Sequence, residues 1–155
     1  VYGPWGRPDM AFFKFAKLML AGERIPVYNH GELARDFTYI DDVVTAIELM
    51  LDKPERKEGG VGDNDDDNDG EARAPHVVYN IGNGAQVALM DYIRALERAL
   101  GVAARYEMLP MQDGDVAATC ADTGALAEAF GFRPATTVEQ GLAAFAQWYR
   151  AHYKA

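Results

Sequence analysis

The chain has 155 residues, enough for one domain with a core, and its 49% apolar and 25% charged content is ordinary for a globular protein. A formal net charge of −9 argues against nucleic acid or an anionic membrane surface as the main partner. Cys120 is the only cysteine, which excludes an intrachain disulfide and a cysteine-rich metal cluster, and no run of about 18 apolar residues is present to cross a membrane; a cytoplasmic location is expected.

Val1-Tyr2-Gly3-Pro4-Trp5 reads as the end of a strand entering a loop. It has no initiator Met and none of the features of a signal or transit peptide, so a segment upstream, or a truncated product, is expected. After Pro8 and Asp9, a helix is predicted with Phe12, Phe13, Ala16, Leu18, Met19 and Leu20 on an apolar face and Lys14 and Lys17 outside it; Gly22 ends it. Ile25 to Tyr28 is a short strand and Asn29-His30-Gly31 a turn. In Arg35-Asp36-Phe37-Thr38-Tyr39-Ile40-Asp41-Asp42, the β-formers Phe37, Tyr39 and Ile40 predict a strand running into a helix capped by Asp41 or Asp42. Val43, Val44, Ile47, Met50 and Leu51 then recur at helical spacing, and Pro54 stops the helix.

Residues 55–75 are a different material, an acidic insertion expected to be a disordered surface loop because it has little to bury. Asp63, Asp65, Asp66, Asp67, Asp69 and Glu71 supply six of the 24 acids, leaving 18 against 15 bases, about −3, so a local basic site for a phosphate-bearing ligand stays open. Asp65-x-Asp67-x-Asp69-Gly70 copies the opening of a calcium loop, but His76 stands where the bidentate Glu belongs, so a solvated insertion is the better reading.

Val77 to Ile81 is predicted as a strand, broken by Gly82-Asn83-Gly84. A helix follows with Leu89, Met90, Ile93, Leu96 and Leu100 on one face and Gly101 as its C-cap. Tyr106 to Leu109 is a candidate strand and Gln112-Asp113-Gly114-Asp115 a polar loop. Asp122 caps a helix containing Leu126 and Phe130. Beyond Pro134, Thr137 and Gln140 form a capping box for a last helix whose buried stripe is Leu142, Phe145, Trp148 and Tyr149. Helices outnumber short strands, which predicts a small mixed α/β unit rather than a complete doubly wound sheet.

Gly82-Asn83-Gly84-Ala85-Gln86-Val87 has the strand–turn–helix setting of a dinucleotide loop, but Val87 replaces the third glycine and a tight turn is the better reading. The histidines His30, His76 and His152 lack ligand spacing, and Cys120 reads as a small core residue. No Gly-x-Ser-x-Gly elbow and no Tyr-x-x-x-Lys pair occurs, so the residues form no catalytic constellation. The candidate binding groups are Arg7, Arg35, Gln112 and Asp115: guanidinium forks match anionic oxygens, and a carboxylate accepts from sugar hydroxyls.

In order, Val1-Tyr2-Gly3-Pro4-Trp5-Gly6-Arg7-Pro8-Asp9-Met10, Val27-Tyr28-Asn29-His30-Gly31, Arg35-Asp36-Phe37-Thr38-Tyr39-Ile40-Asp41-Asp42, Tyr79-Asn80-Ile81-Gly82-Asn83 and Leu109-Pro110-Met111-Gln112-Asp113-Gly114-Asp115-Val116 resemble the C-terminal part of extended short-chain dehydrogenase/reductases, specifically UDP-glucuronate 4-epimerases. The resemblance covers nearly the whole chain outside the acidic insertion. It implies that residues 1–155 are the substrate-binding portion of a nucleotide-sugar epimerase acting in polysaccharide biosynthesis. NAD and the Tyr/Lys catalytic pair would belong to an N-terminal Rossmann domain. It implies that Arg35 grips the diphosphate, the main chain at Val27 and Tyr28 reads the uracil edge, and Asp115 holds ribose hydroxyls. Gln112 would lie beside the nucleotide, and Arg7 would recognise the uronate carboxylate. Thr119 stands where relatives acting on galactose carry a tyrosine near the phosphate. The implied chemistry is hydride transfer from C4 of the sugar to NAD, turnover of the 4-keto sugar and return of hydride to its other face. A different extended epimerase, dehydratase or decarboxylase, or a non-catalytic nucleotide-sugar module, are the rival readings. Without its first domain the chain is expected to turn over little or nothing and to pair with a Rossmann partner or self-associate through Tyr2, Phe12 and Phe13.

Overall fold

The computed structural model describes residues 1–52 and 77–154. The Pro54 helix stop, the acidic insertion with its calcium-like run, and His76 lie outside the described residues. Five helices and four short strands are found among the rest: α1 (Ala11–Leu20), β1 (Arg24–Val27), β2 (Ala34–Arg35), α2 (Ile40–Asp52), β3 (Val87–Ala88), α3 (Leu89–Leu100), β4 (Arg105–Met108), α4 (Gly124–Phe130) and α5 (Val138–Tyr153). This is the mixed α/β architecture that the pattern of helices and short strands predicts.

The apolar spacing of α1, α3 and α5 puts Phe12, Phe13, Ala16, Ile93, Leu96, Leu100, Leu142, Phe145 and Tyr149 into one core. Burying each of the large side chains among them, Ala16 apart, contributes roughly 1.5–3 kcal/mol before ordering costs. Gly101 ends α3 in the left-handed region at φ 64°, with its amide returned to the Arg98 carbonyl. The start of α5 is fixed by the predicted capping box: Thr137 accepts from the Gln140 amide, and the Gln140 side chain accepts from the Thr137 amide. At Gly141 α5 lies directly against the aromatic cluster, and a Cβ there would overlap the Tyr2 ring.

β1 and β4 pair in parallel, with Ile25 opposite Tyr106 and Val27 opposite Met108. β2 is antiparallel to β3, and on its other flank Ala34 bridges Ala118 in parallel. Tyr2 is threaded between Thr38 and Ile40, its amide donating to the Thr38 carbonyl at 3.0 Å and its carbonyl accepting from the Ile40 amide at 2.9 Å. The strand expected over Phe37, Tyr39 and Ile40 is therefore displaced. The ladder runs through Ala34 and Arg35, because that is where backbone partners exist on both sides, while Ile40 already belongs to α2. Asp41 and Asp42 sit inside the first turn, and the Asp42 carboxylate accepts from the Thr136 amide at 3.1 Å. Val77 to Ile81 form no ladder among the described residues despite their β-branched character. Asp122 lies one residue before the N-cap of α4, yet its carboxylate accepts from the Gly124 amide at 3.0 Å.

Two expectations about burial are overturned. Tyr2, Phe12 and Phe13 are not bare: each is at most 5% exposed, enclosed by the aromatic cluster of Phe37, Tyr39, Tyr92 and Phe145. Bare apolar surface lies on α2 instead, where Val44, Ile47 and Leu51 are exposed and Ala46 alone is buried. Cys120 is exposed rather than part of the core.

Tyr92 is 1% exposed, stacks on Phe37 at 3.8 Å between ring centroids, and its hydroxyl has no hydrogen-bond partner among the described residues. Burial pushes its phenol well above the ordinary value, with Tyr2 adding to the shift. A phenol raised in the folded state contributes stability that is complete below the unfolded value of about 10 and is lost as pH climbs above it. Tyr92→Phe removes an unsatisfied buried group as well as the titration. The variant is expected to gain up to about 1 kcal/mol at neutral pH and to lose less stability than the parent above about pH 10, read by urea unfolding at each pH.

Candidate functional site

The two flanks of β2 decide where the site lies. Ala34 donates its amide to the Ala117 carbonyl at 2.9 Å and accepts at its own carbonyl from the Thr119 amide at 3.2 Å. This fastens the segment after Asp115 alongside β2, so the polar loop at 112–115 lands beside Arg35 although 80 positions separate Arg35 from Asp115. On the other side, the β1 strand leads directly into Tyr28. The chain turns there through Asn29 and His30, both in the left-handed region, with φ 48° and 50°.

These segments enclose a cleft of about 400 Å³ lined by Asp9, Ala11, Lys14, Phe15, Pro26, Tyr28, Leu33, Arg35, Phe37, Leu89, Gln112 and Asp115. Four of the six residues singled out from the sequence share it: Tyr28, Arg35, Gln112 and Asp115. Its floor is apolar, with Phe37 carried on the buried Tyr92 ring. Its rim carries the charges. That combination of flat apolar surface and a few fixed polar groups suits a planar ring bearing an anionic tail.

Arg35 is held rather than loose. One terminal nitrogen, NH1, donates to the Ala34 carbonyl at 2.8 Å and to the Ala117 carbonyl at 3.3 Å; the other, NH2, reaches Asp115 Oδ1 at 2.6 Å. The side chains of Arg35 and Asp115 are 24% and 33% exposed, so the pair sits at the cleft wall with a face toward solvent. Asp115 Oδ1 also accepts from the Val116 amide at 2.8 Å. Among the described residues no hydrogen bond uses Asp115 Oδ2, which leaves that oxygen as an acceptor at the cleft.

The other two residues stand apart. Arg7 is outside the lining, with its side chain 76% exposed, and forms a two-pronged ion pair with Asp9, which does line the cleft. That hydrogen bond holds the Asp9 carboxyl below the usual carboxylate range. Val27 is fully buried, and its carbonyl accepts from the Leu109 amide at 2.9 Å, so that oxygen serves the extension of the β1–β4 pair. Thr119 Oγ1 accepts from the Asp36 amide at 3.3 Å.

Sequence reasoning passed over Asp36, which organises the neighbourhood. Its carboxylate accepts from the amides of Asn83 at 2.8 Å, Gly84 at 3.0 Å and Ala121 at 2.9 Å. Thr38 Oγ1 supports the same turn by accepting from the Asn83 amide at 3.2 Å. A Cβ at Gly82 would meet Ala121 and the Asp36 carboxylate, so glycine is required for that approach. The Gly82-Asn83-Gly84 turn thus has the inward-pointing amides of an anion nest, filled by the protein's own carboxylate. Sequence reasoning also missed Phe15, Pro26, Leu33 and Leu89 as cleft walls; their apolar character alone gives no sign that they face a cleft rather than the core. Among the described residues no group of His, Cys, Asp or Glu is arranged to hold a metal ion, and no helix is long and apolar enough to cross a membrane.

Residues 1–82 match the NAD dependent epimerase/dehydratase family. Over 99% of its length the chain is 53% identical to an uncharacterized 37.6 kDa protein of Escherichia coli O111:H-, of which it covers 46%. It is 43% identical over 99% of its length to a probable UDP-glucuronate 4-epimerase of Rhizobium meliloti, covering 45% of that protein. Its fold superposes on UDP-glucuronic acid 4-epimerase from Bacillus cereus, solved in complex with UDP-glucuronic acid and NAD. The TM-score is 0.80 at 29% identity, over 98% of this chain and 43% of that one. The chain therefore spans about half the length of the relatives it matches.

Proposed function

The chain belongs to the NAD dependent epimerase/dehydratase family, and from that premise we propose that its cleft binds the nucleotide part of a UDP-sugar, as the substrate-binding portion of a UDP-glucuronate 4-epimerase. The observation that carries this reading is convergence. Tyr28, Arg35, Gln112 and Asp115, from three separate stretches of chain, line one cleft with an apolar floor. Arg35 presents a guanidinium already oriented by two carbonyls and a carboxylate, so little side-chain freedom is lost when a diphosphate docks. Tyr28 and Phe37 offer ring surface for a base, and Asp115 Oδ2 offers an acceptor for ribose hydroxyls.

Relatives of this chain are solved with NAD, and in this reading the cofactor is held mainly by groups other than the described residues. The one glycine turn in a dinucleotide-loop setting spends its Asn83 and Gly84 amides on Asp36. The hydride chemistry is accordingly not assigned to residues of this chain. Their part is to bind and orient the UDP-sugar so that a reacting carbon is presented to groups outside it. Cytoplasmic residence and a role in polysaccharide biosynthesis belong to the same reading, and a single cysteine is compatible with a reducing compartment.

Titration of the chain with UDP by calorimetry tests the reading. Saturable binding with one site is expected, and absence of both binding heat and thermal stabilisation at millimolar UDP would contradict it. Arg7 is assigned the uronate carboxylate. Because it lies outside the cleft lining and is bound to Asp9, it should contribute nothing to UDP itself. Arg7→Ala is expected to leave UDP affinity unchanged while lowering the preference for UDP-glucuronate over UDP-glucose by about tenfold, the size of one charge-assisted contact. Equal affinities of the variant and parent for both sugars would remove Arg7 from the account.

A further inference from the structure

The cleft lining carries four charged side chains, and three of them are already compensated. Arg35 is neutralised by Asp115, and Asp9 by Arg7 from just outside the lining. The fourth is Lys14. It projects from the first turn of α1 and is exposed, and its ammonium makes no hydrogen bond or ion pair among the described residues. It adds a minor electrostatic pull on the Asp9 carboxyl, behind the Arg7 hydrogen bond. The uncompensated positive charge of the lining is therefore the Lys14 ammonium. From the sequence, Lys14 reads as a solvated lysine on the outer face of an amphipathic helix. The fold instead places it at the mouth of the cleft, on the wall built by Asp9, Ala11 and Phe15.

We infer that Lys14 is a phosphate-binding residue of the cleft, supplying the net charge that a nucleoside diphosphate requires and that the internally paired Arg35 cannot supply alone. This rests on the proposed UDP-sugar reading and deepens it. A diphosphate brings two or more negative charges to a lining whose other charged side chains, Asp9, Arg35 and Asp115, balance only when Arg7 beside Asp9 is counted with them. Arg35 gives it geometry, because the fork is fixed. Lys14 gives it charge, through a flexible ammonium with three donors that adapts to whichever phosphate oxygen is near. An exposed ammonium contributes mainly by Coulomb attraction, so its effect should fall with salt, whereas contacts to base and ribose should not.

The test compares UDP with uridine by calorimetry on the full chain, for the parent, Lys14→Gln and Lys14→Arg, at low and at high ionic strength. The expected result is a loss of about tenfold in UDP affinity for Lys14→Gln at low salt, shrinking at high salt. Uridine affinity should be unchanged, and Lys14→Arg should restore most of the UDP affinity. If the parent binds UDP and Lys14→Gln binds it equally well, or loses UDP and uridine alike, the inference is overturned while the cleft reading stands. If the parent binds neither ligand, the cleft reading itself falls and the inference with it. Circular dichroism of the variants guards the comparison: Lys14 is exposed, so all three proteins should melt together.

Discussion

Asp36→Ala is expected to lower the stability of this protein by roughly 3 kcal/mol, more than any other single change at a partly exposed residue near the cleft. The carboxylate satisfies three backbone amides, from Asn83, Gly84 and Ala121, at 2.8–3.0 Å. Alanine leaves the amides of Gly84 and Ala121 without their acceptor and that of Asn83 with only its longer bond to Thr38 Oγ1 at 3.2 Å. Each orphaned donor costs about 1 kcal/mol or more where solvent cannot replace the partner, and the amides of Asn83 and Ala121 belong to partly buried bonds. For a domain of this size that is a fall in Tm of about 10 °C, read by calorimetry or circular dichroism. Asp36→Asn keeps one acceptor and the shape but loses the charge, and should fall between parent and alanine. The alanine variant should also weaken UDP binding, because Asp36 anchors the Ala121 segment that runs back along β2 to Asp115. A melting curve that superposes on the parent's would show that the Gly82–Gly84 turn is held by something else.

Arg35→Gln is expected to weaken UDP binding by about 100-fold, with little loss of fold stability. Two terms add in that variant. The oriented fork that meets the phosphates is removed, and the Asp115 carboxylate is left unpaired at the cleft wall, where it repels the incoming anion. A second substitution separates them. Arg35→Gln with Asp115→Asn removes the repulsion as well, so the double variant should bind UDP more tightly than Arg35→Gln alone, and the double-mutant cycle should show a coupling of about 1–3 kcal/mol. Arg35→Lys keeps the charge but cannot meet two carbonyls and a carboxylate at once, and should lie about tenfold below the parent. Affinities within twofold of the parent for all three would exclude Arg35 from ligand contact.

What could be read from the sequence were the features whose cause is local. The Thr137–Gln140 box is spelled out in four consecutive residues, and Gly101 stops α3 because the turn needs a left-handed residue at that place. The apolar stripes of α1, α3 and α5 follow the helical period, so the core was legible too. The displaced strand was not, because β2 is Ala34–Arg35, residues with little strand preference of their own. They form a ladder only because Val87–Ala88 and Ala117–Thr119 lie on either side of them. Val77 to Ile81 shows the converse, with four residues of strong strand preference around Asn80 and no ladder among the described residues. At the site, Arg35 and Asp115 were recognisable as binding groups from the stretches around them, but their mutual ion pair was not. The same is true of Asp36, whose partners lie 47–85 positions away. Lys14 carries a helical-face signature identical to that of an ordinary solvated lysine, and only the placement of Asp9 and Phe15 beside it marks its side of α1 as a cleft wall.

The cleft also gives a physical reason for the way charge is arranged in an acidic protein. Its net charge of −9 should slow the approach of a nucleotide, yet six of those acids fall in one short stretch and the cleft lining pairs its own acids with arginines. Local pairing of this kind lets an anionic ligand approach a surface whose global charge opposes it.

The most direct measurement is the amide spectrum of the isotopically labelled chain during titration with UDP. The account predicts saturable shifts at Tyr28, Arg35, Gln112 and Asp115, fitting one dissociation constant, with α4 and the C-terminal half of α5 unmoved. Shifts that fail to saturate, or that saturate only at residues outside the cleft while those four stay fixed, would contradict it.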